Sequence, residues 1–102
     1  MIKHIVMWKL HEEAGGKSNK ENAMEFKARL ESLTPKIEAI HSMEIGIGYV
    51  KSEGAVFDMV LTTTHESKEK LNEYAVHPEH QKVVAFAKGI VAERRVVDYE
   101  VN

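Results

Sequence analysis

The sequence has no cysteine, which removes disulfides, thiolate nucleophiles and cysteine-based zinc or iron–sulfur sites from consideration. It has no basic block beyond Arg94 and Arg95, and 14 lysines and arginines against 16 aspartates and glutamates leave a formal charge of −2. No nucleic-acid partner is expected, because such binding rests on neutralising phosphates. Long apolar runs are missing as well. The opening "MIKHIVMWKL" alternates instead of forming the uninterrupted core of a signal peptide, so no membrane association is expected and the cytoplasm is the default address. With 102 residues, 43% hydrophobic and 29% charged, the expectation is a single domain, residues 1–102, around one core.

What is present is periodicity. Ile2, His4, Val6, Trp8 and Leu10 fall on one face of an extended segment, and Lys3, Ile5, Met7 and Lys9 on the other, which predicts a first strand. "HEEAGGKS" follows as a loop whose Gly15-Gly16 pair breaks regular structure. Ser18 stands three residues before Glu21, the capping-box spacing, and Ala23, Phe26, Leu30 and Leu33 then recur at helical spacing until Pro35. "MEIGIGYV" and "AVFDMVLTTT" alternate again and are read as a hairpin joined across "KSEG". Ser67 caps a short helix carrying Leu71 and Tyr74, and His77-Pro78 starts another, with proline where its missing N–H costs nothing. The apolar pattern carries that helix through Val83, Val84, Phe86, Ala87, Ile90 and Val91 to the neighbourhood of Glu93, and "RRVVDYEV" forms the last strand.

The resulting βαββαβ order is the α+β, ferredoxin-like arrangement: an antiparallel four-stranded sheet with both helices on one face and the first and last strands as neighbours. The other face has no helix to cover it. Ile5, Met7, Val56, Val60, Val97, Tyr99 and Val101 are assigned to that face, while Phe57, Met59 and Leu61 point inward. So much exposed apolar surface predicts a homodimer packed sheet to sheet. The same alternation puts Asp98 on the helix-covered face with His4 and predicts a hydrogen bond between them, the carboxylate orienting the imidazole.

The most pointed stretch is "EYAVHPEHQKV", residues 73 to 83. Tyr74 and His80 are six residues apart, and the break at Pro78 allows both to turn toward one cavity. An imidazole that titrates near neutrality exchanges protons readily, and a phenol donates to an oxyanion without ionising. Each residue also has a purely structural reading: His77 as a helix-start group, His80 as a cover for the helix end, Tyr74 as a core ring, and His4–Asp98 as a satisfied polar pair. His77 and His80 flank Glu79 at a spacing that supplies two metal ligands but no third, so no metal or other cofactor is expected. His11, His41 and His65 fall in loops or at element ends and are expected to be solvated.

"IKHIVMWKL", "HESKEKLNEYAVHPEHQKV" and "RRVVDYEV" together resemble the stress-responsive dimeric α/β-barrel family, Dabb, over essentially the whole chain. The most specific elements are the early histidine, His4, and the Tyr-x-x-His-Pro-x-His run, here Tyr74, His77, Pro78 and His80. The resemblance implies a ferredoxin-like protomer whose sheets pair into a homodimeric barrel. In cyclase-like members the tyrosine and the second histidine act on the substrate, which implies His80 as general base and Tyr74 as donor to an enolate oxygen. The chain departs from the plant cyclase pattern with Ala23, Met24 and Lys27 in place of bulky aromatics, Val84 in place of a glycine and Met59 in place of a histidine. Trp8 is expected to fill part of the space so opened.

The leading expectation is a cofactor-free, stress-responsive homodimer that binds a small carbonyl-bearing or aromatic metabolite between sheet and helices. His4, Val6, Trp8, Met59, Val83 and Val84 would line the cavity beside Tyr74 and His80, with Asp98 behind His4. Two other readings stay open, because fold alone does not settle function. One is a cofactor-independent lyase, cyclase or monooxygenase-like enzyme; the other is a structural or assembly protein whose histidines are caps and core groups.

Overall fold

The computed structural model describes residues 1–48 and 53–102. The end of the "MEIGIGYV" run, Tyr49 and Val50, and the first half of "KSEG", Lys51 and Ser52, lie outside the described residues. The chain runs β1 (Ile2–Leu10), β2 (Glu13–Ala14), β3 (Lys17–Ser18), α1 (Asn19–Glu31), β4 (Ser42–Ile47), β5 (Met59–His65), α2 (Lys68–Val76), α3 (Pro78–Lys88) and β6 (Val91–Glu100). β4, β5, β1 and β6 lie in that order in one antiparallel sheet, which is the ferredoxin-like order that the alternating runs predict.

Register decides what meets what. His4 lies opposite Thr63 of β5 and Asp98 of β6, Val6 opposite Leu61 and Val96, and Trp8 opposite Met59 and Arg94. Directly opposed residues of antiparallel strands share a face, so all of these side chains belong to the side that carries the helices. α1 buries Ala23, Phe26 and Leu30 against that side, and Leu33, Ile37 and Ile40 continue the core beyond it. Trp8 leans on Phe26 with ring centroids 4.7 Å apart, and Phe26 in turn meets Phe86 of α3 at 6.1 Å. On the opposite side Met7, Val60, Val97 and Tyr99 are exposed, with Ile5 and Val101 half-buried.

The helix starts follow the predicted chemistry. Ser18 Oγ accepts from the Glu21 N–H and Glu21 Oε1 accepts from the Ser18 N–H, both at 3.2 Å, so two otherwise orphaned donors are satisfied reciprocally. Ser67 Oγ accepts from Lys70 N at 3.2 Å. At the α2–α3 junction His77 Nδ1 accepts from Glu79 N at 3.1 Å, and Pro78 is the first helical residue.

Three expectations are corrected. Gly15 and Gly16 do not merely interrupt structure: with φ of +61° and +79° they are the turn of a small hairpin between β2 and β3. Positive φ at both central residues suits the right-handed twist of the flanking strands. α3 ends at Lys88, well short of Glu93, because Gly89 caps it; Val91 already pairs with Leu10 as the first residue of β6. Ile90 and Val91 satisfy helical spacing and strand alternation equally well, which is why the apolar pattern alone overruns. Finally, β5 begins at Met59 and not at Ala55. Before it only Asp58 still reaches the neighbouring strands, its N–H donating to Trp8 O and its carbonyl accepting from Gly48 N, both at 2.8 Å, while Val56 N turns back to Gly54 O at 3.1 Å. Val56 is therefore an exposed loop residue and no part of the open sheet face.

Candidate functional site

Between the sheet and the helices lies a cavity of about 530 Å³. β1 contributes His4, Val6 and Trp8, α2 contributes Tyr74, and α3 contributes His80, Val83 and Val84. Seven of the eight candidate cavity residues are thus brought together. Met59 is not among the lining; it is packed in the core at 2% exposure. Trp8 and Val84 border the space without closing it. The wall also includes Phe26, Leu30 and Leu61, together with two cations that the sequence reading did not single out, Lys88 and Arg94. Register held the signal for Arg94, which shares the inner face of β6 with Asp98.

The α2–α3 break explains how Tyr74 and His80 converge. α2 stops at Val76; the His77 N–H turns back to the Tyr74 carbonyl at 3.2 Å, and the Ala75 carbonyl is left without its helical partner. The N–H of Glu79, which would meet the Ala75 carbonyl in a continuous helix, is taken by His77 Nδ1. His80 Nδ1 comes within 3.0 Å of the Ala75 carbonyl in its place, and Gln81 Nε2 donates to the same oxygen at 2.6 Å. A carbonyl oxygen only accepts, so His80 carries its proton on Nδ1 and presents the lone pair at Nε2. Nε2 has no hydrogen-bond partner among the described residues. Burial pulls the His80 pKa below the ordinary histidine value against the raising effect of the Ala75 bond, and His4, Arg94 and His77 lower it further. The neutral ring is therefore the stable form. His80 covers a helix end, as its structural reading holds, and lines the cavity as well.

Tyr74 is 1% exposed, and its hydroxyl has no hydrogen-bond partner among the described residues. Histidine rings surround it: His80 at a centroid distance of 4.3 Å, His65 at 5.1 Å and His4 edge-on at 6.1 Å. Burial pushes the phenol up to about 12, with the charge of Arg94 opposing, so the group stays protonated and can only be used as a neutral donor or acceptor.

His4 Nδ1 and Asp98 Oδ1 are 2.5 Å apart, the bond that the strand register predicts. His4 is buried while the Asp98 side chain is 45% exposed, so the carboxylate orients the ring from the outer edge of the sheet. His11 and His41 are exposed, but His65 is not solvated. It has no exposed surface; Nδ1 donates to the Ala39 carbonyl at 2.8 Å and Nε2 accepts from the Thr63 hydroxyl at 2.9 Å. Burial holds its pKa below the ordinary value, the Ala39 bond opposing. His65 ends β5, but it still continues the inward series Met59, Leu61, Thr63. No cluster of three or more potential metal ligands forms among the described residues, and none of their helices is long and apolar enough to cross a membrane.

The stress responsive A/B barrel domain model matches residues 2–101. No curated protein matches the chain. Among solved structures, a dimeric protein of unknown function and ferredoxin-like fold from Bacteroides fragilis is 28% identical at a TM-score of 0.85, covering 98% of this chain and 95% of that one. A protein from Arabidopsis thaliana is 23% identical at 0.83, covering 100% and 96%. A hydroxynitrile lyase from Passiflora edulis is 13% identical at 0.81, covering 99% and 93%. The last two share the fold.

Proposed function

Since the chain belongs to the stress-responsive A/B barrel (Dabb) family, we propose that it is a homodimer that binds a small carbonyl-bearing or aromatic molecule in the cavity between sheet and helices. The observation that carries this reading is the Tyr74 hydroxyl, buried at the cavity wall without a hydrogen-bond partner among the described residues. Such a group is destabilising by about 1–3 kcal/mol unless an acceptor arrives, and a ligand carbonyl supplies one. A volume of about 530 Å³ suits a small organic molecule, since such sites span roughly 300–1,000 Å³, and the wall is mostly aliphatic and aromatic. The dimer is supported by relatives described as dimeric and by the apolar outer face, where Ile5, Met7, Val60, Val97, Tyr99 and Val101 would form the contact. Trp8 is the single tryptophan and borders the cavity, so its fluorescence reports occupancy directly. Titration with aromatic aldehydes and ketones should give a saturable change; a flat response across such a panel would count against the reading.

A second reading, proton transfer next to a carbonyl, is favoured by the free lone pair of His80 Nε2 beside the Tyr74 phenol. His80 would remove the proton and Tyr74 would hydrogen-bond the resulting enolate oxygen, without a cofactor, as in a lyase or cyclase. One solved relative by fold is a hydroxynitrile lyase. For any carbonyl compound found to be turned over, His80→Ala should abolish turnover while the dimer stays folded. Unchanged turnover would remove His80 as the base.

A further inference from the structure

The cavity wall carries charge of one sign only. Its lining includes Lys88 and Arg94 but no aspartate or glutamate; the nearby Asp98 carboxylate is engaged by His4. Neither cation has an ion-pair partner among the described residues. Their neighbours on the same elements do: Arg95 meets Glu93 at 2.8 Å and Lys82 meets Glu79 at 3.3 Å. Lys88 lies in the last turn of α3, where a cation complements the helix dipole, so part of its placement is structural. Arg94 is exposed to solvent at the rim of the cavity. It stands on a strand, opposite Trp8, on the face that the helices cover. Its charge is felt by both Tyr74 and His80, so the guanidinium bears on the polar end of the cavity.

We infer that the ligand is an organic acid, an aromatic or aliphatic body carrying both a carbonyl and a carboxylate. Arg94 holds the carboxylate, aided by Lys88, while the carbonyl meets the Tyr74 hydroxyl. The planar fork of a guanidinium matches a carboxylate through two parallel hydrogen bonds. A singly charged carboxylate fits better than a dianionic phosphate ester, because Lys88 sits in the last turn of α3, where the helix dipole opposes an anion in proportion to its charge and no free N–H groups are offered. This inference rests on the ligand-binding reading of the cavity and narrows it to a chemical class.

The test is calorimetric titration of the wild-type protein with benzoylformate, β-benzoylpropionate and γ-benzoylbutyrate, each paired with its neutral methyl ester. The series samples different spacings between ketone and carboxylate. At least one acid should bind about 10-fold or more tightly than its ester, the equivalent of about 1.4 kcal/mol. Added salt should weaken the acid and leave the ester unaffected, and Arg94→Gln should erase the preference. Equal binding of acids and esters would overturn the inference while leaving the cavity as a ligand site. A preference that survives Arg94→Gln would overturn the role of Arg94. If neither acids nor esters bind, the ligand-binding reading itself fails, and the inference with it.

Discussion

At the residue scale, the histidines divide by what their nitrogens touch. His4 was legible from sequence because alternation in two neighbouring strands fixes its facing residue, and Asp98 is that residue. His65 was not, because a histidine at the end of an element looks solvated until the sheet's inward series is followed to its last member. Arg94 was hidden for a related reason, since "RR" reads as a small basic pair when its two members point to opposite faces. The buried imidazoles make a prediction about pH. Burial lowers the pKa of both His65 and His80, so the unfolded chain binds protons that the folded chain refuses. Stability is then undiminished above the ordinary histidine value of 6.5 and is lost as pH falls through it. Urea midpoints should decline on acidification across that range. His65→Gln should lower stability by roughly 1–3 kcal/mol near neutrality through lost buried hydrogen bonds, and should flatten the pH dependence. A wild-type midpoint that stays level through the histidine range would contradict this account.

At the scale of elements, caps and turns set the boundaries, and the legible ones were those with unambiguous chemistry. The Ser18–Glu21 box and the His77-Pro78 start were readable because few other residues do those jobs. The end of α3 was not, since Ile90 and Val91 fit both periods and only Gly89 marks the stop. The start of β5 was missed because residues 55–58 alternate like a strand while Val56 N turns back to Gly54 O and only Asp58 bonds across to Trp8 and Gly48. The hairpin turn offers a clean check. Gly16 has a φ of +79°, yet a β-carbon built there meets nothing within 4 Å. The effect of Gly16→Ala is therefore conformational alone, and it should destabilise the protein by about 1 kcal/mol. Chemical denaturation measures it; a neutral or stabilising substitution would mean that the turn relaxes to a different form.

At the scale of the molecule, the sheet separates two environments: a helix-covered side with a cavity, and an open apolar side. The open side was legible from alternation, apart from Val56. Val97 is 53% exposed there, beside Met7 and Tyr99. In the proposed sheet-to-sheet homodimer a lysine at Val97 would place an unpaired charge in the contact, so Val97→Lys should shift that dimer toward monomer in sedimentation at micromolar concentration. A wild-type monomer, or a variant that stays fully dimeric, would refute that contact. The cavity was legible only in its residue types, because its opening depends on Trp8 leaning onto Phe26 and on the α2–α3 break. On the proposed ligand-binding role, the Tyr74 hydroxyl, without a partner among the described residues, is the group that a ligand acceptor would meet. The decisive measurement is stability and ligand affinity together in Tyr74→Phe. Removing a buried, unsatisfied hydroxyl should stabilise the free protein by about 1 kcal/mol and weaken binding of an aromatic ketone about 10-fold. A variant that is less stable, with affinity unchanged, would make Tyr74 an ordinary core residue.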